Sequence, residues 1–289
     1  MGKYERVAIV GVGLIGGSIG QALRMRGLAS RVVGIGRNEA RLAEAVKFGA
    51  VDETTTDPAR GVAEADVAIV CTPVTGIADW VNLLAKHGSS ELLVTDAGST
   101  KRAIVEAVEH DERGRDVFVG GHPIAGSERQ GVEFAVANLF EGRACAVTPT
   151  KRTPPDRLLR AREFWESIGC RVVEIDPVRH DEILALTSHL PHAVAAALAA
   201  SVPSENLLLA AGAYRDGTRV AGADASLWAG IFLENRGPLL DALDRFQSQF
   251  DVFRRKLEAG DRDGLIEWWS EARSQRLKFD AGRKPGVED

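Results

Sequence analysis

The chain is poor in the features that assign a function quickly. It has 3 cysteines, Cys71, Cys145 and Cys170. They are odd in number and scattered, with no CxxC spacing, which excludes a disulfide framework and a cysteine zinc site and reads as buried reduced thiols. A basic excess is also missing: the formal net charge is -5 over 289 residues, so neither a nucleic-acid nor an anionic-membrane partner is expected. The start, "MGKYERVAIVG", has no signal-peptide h-region, and position 6 is Arg where a myristoylation motif needs Ser or Thr. No stretch reads as long and apolar enough to cross a bilayer, "PHAVAAALAASV" being too short. Internal repeats and low-complexity segments are absent. These exclusions leave a cytosolic enzyme or binding protein of ordinary composition, 45% hydrophobic and 27% charged.

What is present divides at about Pro177. Before it, short β-branched runs ("RVAIVGVG", "RVVGIGR", "DVAIVCTP", "ELLVTDAGS", "DVFVGGHP", "ACAVTPT", "CRVVEID") alternate with helical patterns such as "PPDRLLRAREFWESIG". Near-continuous apolar strands alternating with amphipathic helices predict βαβ units and a sheet buried on both faces. After it the strand signal vanishes and the remaining segments read as helix. Pro191 falls inside the first, where it is expected to kink the helix and free a carbonyl near Thr187. The expected architecture is α/β: a Rossmann-type dinucleotide-binding domain over residues 1–176, an all-α domain over 177–280, and a tail over 281–289.

"VAIVGVGLIGGSIGQAL" sets Gly11, Gly13 and Gly16 in GxGxxG spacing between a strand and a helix. The first glycine serves the tight turn, the second the approach of a pyrophosphate, and the third close helix–sheet packing. The helix start at Leu14 and Ile15 offers amides and a positive dipole end to phosphate. A P-loop is excluded because Gly17, not Lys, follows Gly16. At the end of the second strand, Gly36 stands where an NAD-binding carboxylate would sit, followed by Arg37. That pattern favours NADP, Arg37 pairing with the 2′-phosphate, over a merely solvated helix start.

"CTPV" and "DAGSTK" each end a strand, and ligands of open α/β sheets lie outside the carboxyl ends of the strands. Thr72, Pro73, Ser99 and His122 thus share the cofactor edge. The "VGGHPIAGSERQGVEFA" stretch around His122 alone reads equally as an ordinary strand-to-turn junction; its place on that edge makes His122 a ligand-facing candidate. In the helical half, "TSHLPH" groups Ser188, His189 and His192 within about one turn. No further ligand pattern accompanies the two histidines, and no metal is expected. "YRDGTRVAGADASLW" offers Arg215 and Arg219, either a surface loop or a carboxylate clamp.

In this order, "GVGLIGGS", "CTPV", "DAGSTK", "GGHPIAGSERQGVEFAVANLF", "SHLPH" and "YRDGTRVAGADASLWAGIFLEN" resemble the prephenate/arogenate dehydrogenase family of tyrosine biosynthesis, from about residue 5 to 270. The resemblance implies a Rossmann-type domain joined to a helical domain that makes a homodimer. It also implies oxidative decarboxylation of a ring that becomes aromatic, with reduction of NAD(P)+. It assigns His122 the proton of the ring hydroxyl, Ser99 the orientation of that histidine, Arg219 a substrate carboxylate, and His192, with Ser188, a substrate contact. Arg215 matches, more weakly, a basic residue reaching across the dimer. Glu128 falls where an acid favours the amine of arogenate, whereas the retained His192 favours prephenate, the preferred expectation. No chorismate mutase or ACT domain is expected. The β-hydroxyacid dehydrogenases, an alternative, rely on a helical catalytic Lys, and Val178 to Ser201 contains none. A non-catalytic NADP sensor would lack the base or the clamp, yet His122 and Arg219 are both present.

Overall fold

The computed structural model describes residues 2–127 and 129–282. Strands β1 (Tyr4–Val10), β2 (Ala29–Ile35), β3 (Glu53–Thr55), β4 (Val67–Val70) and β5 (Leu93–Asp96) form a parallel sheet. Their order is β3-β2-β1-β4-β5. Each central strand feeds two cores. Val7, Ile9, Val67, Ile69 and Leu93 point to one side, and Ala8, Val10, Ala68, Val70 and Val94 to the other. That is why these strands read as continuous apolar runs rather than as alternation. The seven expected strands all form. The short polar β3, "ETT", carries no apolar residue and escaped the pattern.

Beyond β5 the sheet continues through one parallel bridge, Val94 to Phe118, where the Val119 amide donates to the Val94 carbonyl at 2.9 Å. That bridge leads into β6 (Gly120–Pro123), which runs antiparallel to β7 (Ala144–Thr148); β7 in turn pairs parallel with β8 (Arg171–Glu174). His122 therefore sits mid-strand opposite Ala146, and the amide of its neighbour Gly121 reaches Asp96 at the end of β5.

Helices α1 (Leu14–Met25), α2 (Glu39–Lys47), α3 (Pro58–Val62) and α4 (Ile77–His87) connect the first five strands. Next come α5 (Arg102–Glu109) and α6 (Glu112–Val117), then α7 (Pro155–Ser167) between β7 and β8. After β8 no strand occurs among the described residues. The chain makes α8 (Pro177–Leu184), a π-helical turn (Ala185–His189), α9 (Leu190–Ala200), α10 (Gly212–Thr218), α11 (Ala225–Glu234), α12 (Arg236–Glu258) and α13 (Arg262–Ala281). By packing, one compact unit ends at Arg236 and another begins at Gly237; all residues of the site below lie in the first.

One expectation is corrected here. A π turn precedes Pro191, and α8, the π turn and α9 run on as one helix. The result is a 24-residue, largely apolar run, Pro177–Ala200. By length and composition a helix of that kind can cross a membrane, contrary to the reading of "PHAVAAALAASV" as too short. Dividing the run at Pro191 concealed its length.

Candidate active site

The site is built from strand ends. Gly11 takes φ +84°, and a Cβ there would lie 2.9 Å from the Cys71 carbonyl oxygen at the end of β4. A Cβ on Gly16 would lie 2.3 Å from the Gly11 carbonyl oxygen. These two glycines answer to the protein's own packing. Gly13 does not: a Cβ there would meet nothing within 4 Å. Gly13 is the N-cap of α1, makes no side-chain cap bond, and is followed by a first turn without acidic residues. The amides of Leu14 and Ile15 thus face an open, uncapped helix start, the arrangement that receives a phosphate. A dinucleotide fits this cradle.

The neighbouring edge is compatible. Thr72, next to Cys71, sets its methyl 3.2 Å from the Cβ position of Gly11, and its buried Oγ1 has no partner among the described residues. Pro73 follows and leads into α4. At the end of β2, Asn38 caps α2 by accepting from the Arg41 amide at 3.1 Å, while Arg37 is exposed. A Cβ on Gly36 would lie 3.2 Å from a Leu42 methyl.

Ser99 and His122 are held in register by one buried carboxylate. Asp96, fully buried at the end of β5, accepts from the Gly98 amide and the Gly121 amide, each at 2.9 Å, and pairs with the buried Lys101 ammonium. The turn carrying Ser99 is thereby tied to the strand carrying His122.

His122 is 9% exposed. Its Nδ1 lies 2.9 Å from Nε2 of His180, whose Nδ1 lies 2.7 Å from Oδ1 of Asp181. Asp181 also accepts from the amides of Lys101 at 2.8 Å and Arg102 at 3.0 Å, capping α5. Burial, reinforced by His180, Lys101 and His189, holds the His122 imidazole well below its usual pKa of 6.5. It is therefore neutral at physiological pH.

The other wall is helical. His189, on the π turn, has its Nδ1 2.9 Å from the Asn235 amide nitrogen, which also donates to the Asp181 carbonyl at 2.8 Å. Burial pushes the His189 pKa down to about 4. Its ring faces the Ser99 main chain. His192 donates from Nδ1 to the Ser188 carbonyl at 2.8 Å and stacks on Trp228 with ring centroids 3.5 Å apart. Burial lowers its pKa, and the nearby Arg219 guanidinium lowers it further.

The structure thus gathers His122 and Ser99 with His189, and Ser188 and His192 with Arg219. His189 and His192 both pack on Trp228, one edge-on at 6.1 Å and the other stacked. Arg215 is exposed and pairs with its neighbour Asp216 at 3.1 Å. Glu128 lies outside the described residues. Sequence reasoning missed His180, Asp181 and Asn235, and passed over Asp96 and Lys101 inside the "DAGSTK" it had marked. The adjacent His180–Asp181 pair lies in α8, the first helix after the last strand, and carries no local motif that marks it.

Two family models match the chain: the prephenate dehydrogenase nucleotide-binding domain over residues 19–174 and the prephenate dehydrogenase dimerization domain over 176–271. A prephenate dehydrogenase of Bacillus subtilis is 34% identical, over 94% of this chain and 75% of its own. A cyclohexadienyl dehydrogenase of Zymomonas mobilis is 31% identical, over 96% and 97%. The crystal structure of prephenate dehydrogenase from A. aeolicus, in complex with hydroxyphenyl propionate and NAD+, superposes with a TM-score of 0.88 at 33% identity, covering 95% of this chain and 98% of that one. On this evidence, with a parallel nucleotide-binding sheet and a helical second part in place, the chain belongs to the prephenate dehydrogenase family.

Proposed function

We propose that this chain binds NADP+ in preference to NAD+ at the Gly11–Gly16 turn and oxidatively decarboxylates prephenate, with arogenate as the second substrate. Family membership makes it an NAD(P)-dependent prephenate/arogenate (cyclohexadienyl) dehydrogenase. The division of labour among residues is our reading. The observation that carries it is His122: a neutral imidazole on β6, next to the Gly121 amide that reaches Asp96 at the end of β5, with Nδ1 facing His180 and Nε2 left for a ligand.

Bound at the turn, the nicotinamide supplies the hydride acceptor. The protein's own task is the rest. His122 Nε2 accepts the proton of the ring hydroxyl as the C–H bond of that carbon breaks. Loss of carbon dioxide leaves its electron pair in the ring, and the phenolate oxygen formed takes the proton back from His122, so no net proton is released. Ser99 orients the hydroxyl and His122. Arg219 clamps a carboxylate, and His192 and Ser188 bound the same pocket. Gly11, Gly13, Leu14, Ile15, Gly16, Thr72 and Pro73 cradle the dinucleotide, and the exposed Arg37, with no acid beside it, receives a 2′-phosphate.

The helical part, which we delimit as residues 177–280 against 1–176 for the dinucleotide domain, makes a homodimer. In the first compact unit Leu208 and Leu209 are 80% and 84% exposed, and in the second Trp269 is 67% exposed, apolar surface of the kind a second copy covers. In that dimer Arg215 reaches the neighbouring site. Glu128 lies close enough in sequence to His122 to bias the choice between amine and keto side chains. The enzyme works in the cytosol on a small-molecule substrate.

A spectrophotometric assay crossing prephenate and arogenate with NAD+ and NADP+ tests this reading, together with His122→Asn. Reduction of NADP+ faster than NAD+, and a loss of at least about 100-fold in kcat for His122→Asn with dinucleotide binding intact, are expected. Full turnover by His122→Asn would remove His122 as the base.

A further inference from the structure

The hydrogen bonds around His122 continue past it in one direction only. Asp181 receives three N–H groups: the Lys101 amide and His180 Nδ1 on Oδ1, and the Arg102 amide on Oδ2. A carboxylate so surrounded acts as acceptor, so His180 carries its hydrogen on Nδ1. In the form of His180 whose Nε2 carries only a lone pair, the atom 2.9 Å away, His122 Nδ1, is the donor. In that form the hydrogen on His122 is on Nδ1, and its Nε2 is the bare acceptor. His180 is fully buried and Asp181 2% exposed, so no bulk water competes for these bonds.

We infer that His180, backed by Asp181, is a positioning residue and proton relay for His122: it fixes the imidazole in the tautomer that presents Nε2 to the substrate hydroxyl, and takes up the Nδ1 proton when Nε2 is protonated. The inference rests on the proposed role of His122 as the base. Its balance is simple. The hydroxyl O–H bond breaks and an Nε2–H bond forms on His122. The Nδ1–H bond of His122 breaks and an Nε2–H bond forms on His180, leaving an imidazolium beside the Asp181 carboxylate. When the phenolate oxygen takes its proton back, both transfers reverse, and no oxidant or reductant is involved.

The surroundings explain why a relay is needed. Lys101, His180 and His189 all face His122, and with burial they disfavour a cation there. The Cys145 thiol, on the strand opposite, is held above its ordinary pKa by burial and is neutral. One bond further on the balance reverses, because Asp181 directly contacts His180 and offers a full negative charge to an imidazolium. The His122–His180–Asp181 chain thus places a carboxylate behind the second imidazole, as a hydrolase triad places one behind its histidine.

The test uses the full chain and five proteins: wild type, His122→Asn, His180→Phe, the double variant, and His180→Gln as the conservative change. His180→Phe should lower kcat about 100-fold while KM and dinucleotide affinity stay within about threefold. His180→Gln, whose amide oxygen can accept from His122 but cannot carry a proton onward, should fall between. In the His122→Asn background, His180→Phe should cost less than about twofold, because a residue acting through His122 has nothing left to act on. Histidine 15N NMR of the wild type should show His122 protonated on Nδ1. The inference is overturned by an Nε2-protonated His122, by His180 variants that keep full kcat, or by a His180→Phe loss that multiplies onto His122→Asn, which is the signature of a merely structural role. If His180→Phe does not fold, His180→Gln and the wild-type tautomer decide alone. Full activity in His122→Asn would overturn the parent reading and this one with it, and is recognisable because that variant does not touch residue 180.

Discussion

The three glycines of the turn separate packing from binding, and alanine substitution makes the separation measurable. At Gly16 a Cβ would sit 2.3 Å from the Gly11 carbonyl oxygen, roughly 1 Å inside contact distance. That oxygen has little freedom to retreat, since the Gly11 amide is tied to the Ile35 carbonyl at 3.0 Å and its φ is +84°. Gly16→Ala should therefore destabilise the fold by about 2 kcal/mol, in the middle of the range for overpacking. At Gly13 the new methyl meets no protein atom. Lost capping preference and reduced unfolded-state entropy nearly cancel, which leaves stability within about 1 kcal/mol of wild type. The methyl would instead occupy the space above the open helix start. Dinucleotide affinity of Gly13→Ala should drop by at least about 30-fold, equivalent to roughly 2 kcal/mol. Urea unfolding and calorimetric titration with NAD+ and NADP+ on both variants supply the readings. A Gly13→Ala protein that binds dinucleotide like wild type would refute the argument, because the pyrophosphate could not then lie over Gly13.

Two further outcomes follow from charge. Arg37→Glu should weaken NADP+ binding by at least about 100-fold while NAD+ changes by about threefold or less, measured by titration; equal losses for both would mean that Arg37 does not meet the 2′-phosphate. Burial pushes His189 from 6.5 down to about 4, so between those pH values the unfolded chain binds a proton that the folded one refuses. Stability should thus fall on acidification through that window, by up to about 3 kcal/mol from His189, with His122 adding in the same direction. Urea unfolding at pH 7 and 4.5 should show a smaller drop for His189→Gln than for wild type, and an identical drop would count against this account.

Local signals carried most of the fold. The apolar runs that became β1, β4 and β5 are buried on both faces, so their sequence had only one way to read. The fingerprint glycines were legible because each answers a local backbone demand. Long-range pairings were not. His122 and His180 are 58 residues apart, and nothing in "VRHDEIL" announces that the first ring after β8 will meet a ring on β6. Asn235 likewise stands 54 residues from the Asp181 carbonyl it binds. Pro191 misled for a different reason: a proline inside an apolar helix signals a lost hydrogen bond, but not whether the backbone breaks or widens into a π turn. That turn carries Ser188, whose carbonyl holds His192, and His189, so the irregularity coincides with the residues proposed to bound the pocket.

The buried Asp96–Lys101 pair shows how the site withstands its own cost. Taking two charges out of water is unfavourable, and an ion pair seldom recovers more than an apolar pair of the same volume would. Here the apolar alternative is closed, because Asp96 also accepts from the Gly98 and Gly121 amides. Replacing it would orphan two buried N–H groups on the segments that carry Ser99 and His122. The carboxylate therefore serves geometry first, joining two strand ends that no backbone ladder connects at that level. Its cation then acts at a distance, since Lys101 is among the groups that keep His122 uncharged. Through its amide the same Lys101 donates to Asp181, the carboxylate behind His180. A single residue thus disfavours charge on the first imidazole while helping to hold the acceptor that favours charge on the second, and the two effects point a proton inward from the cofactor edge.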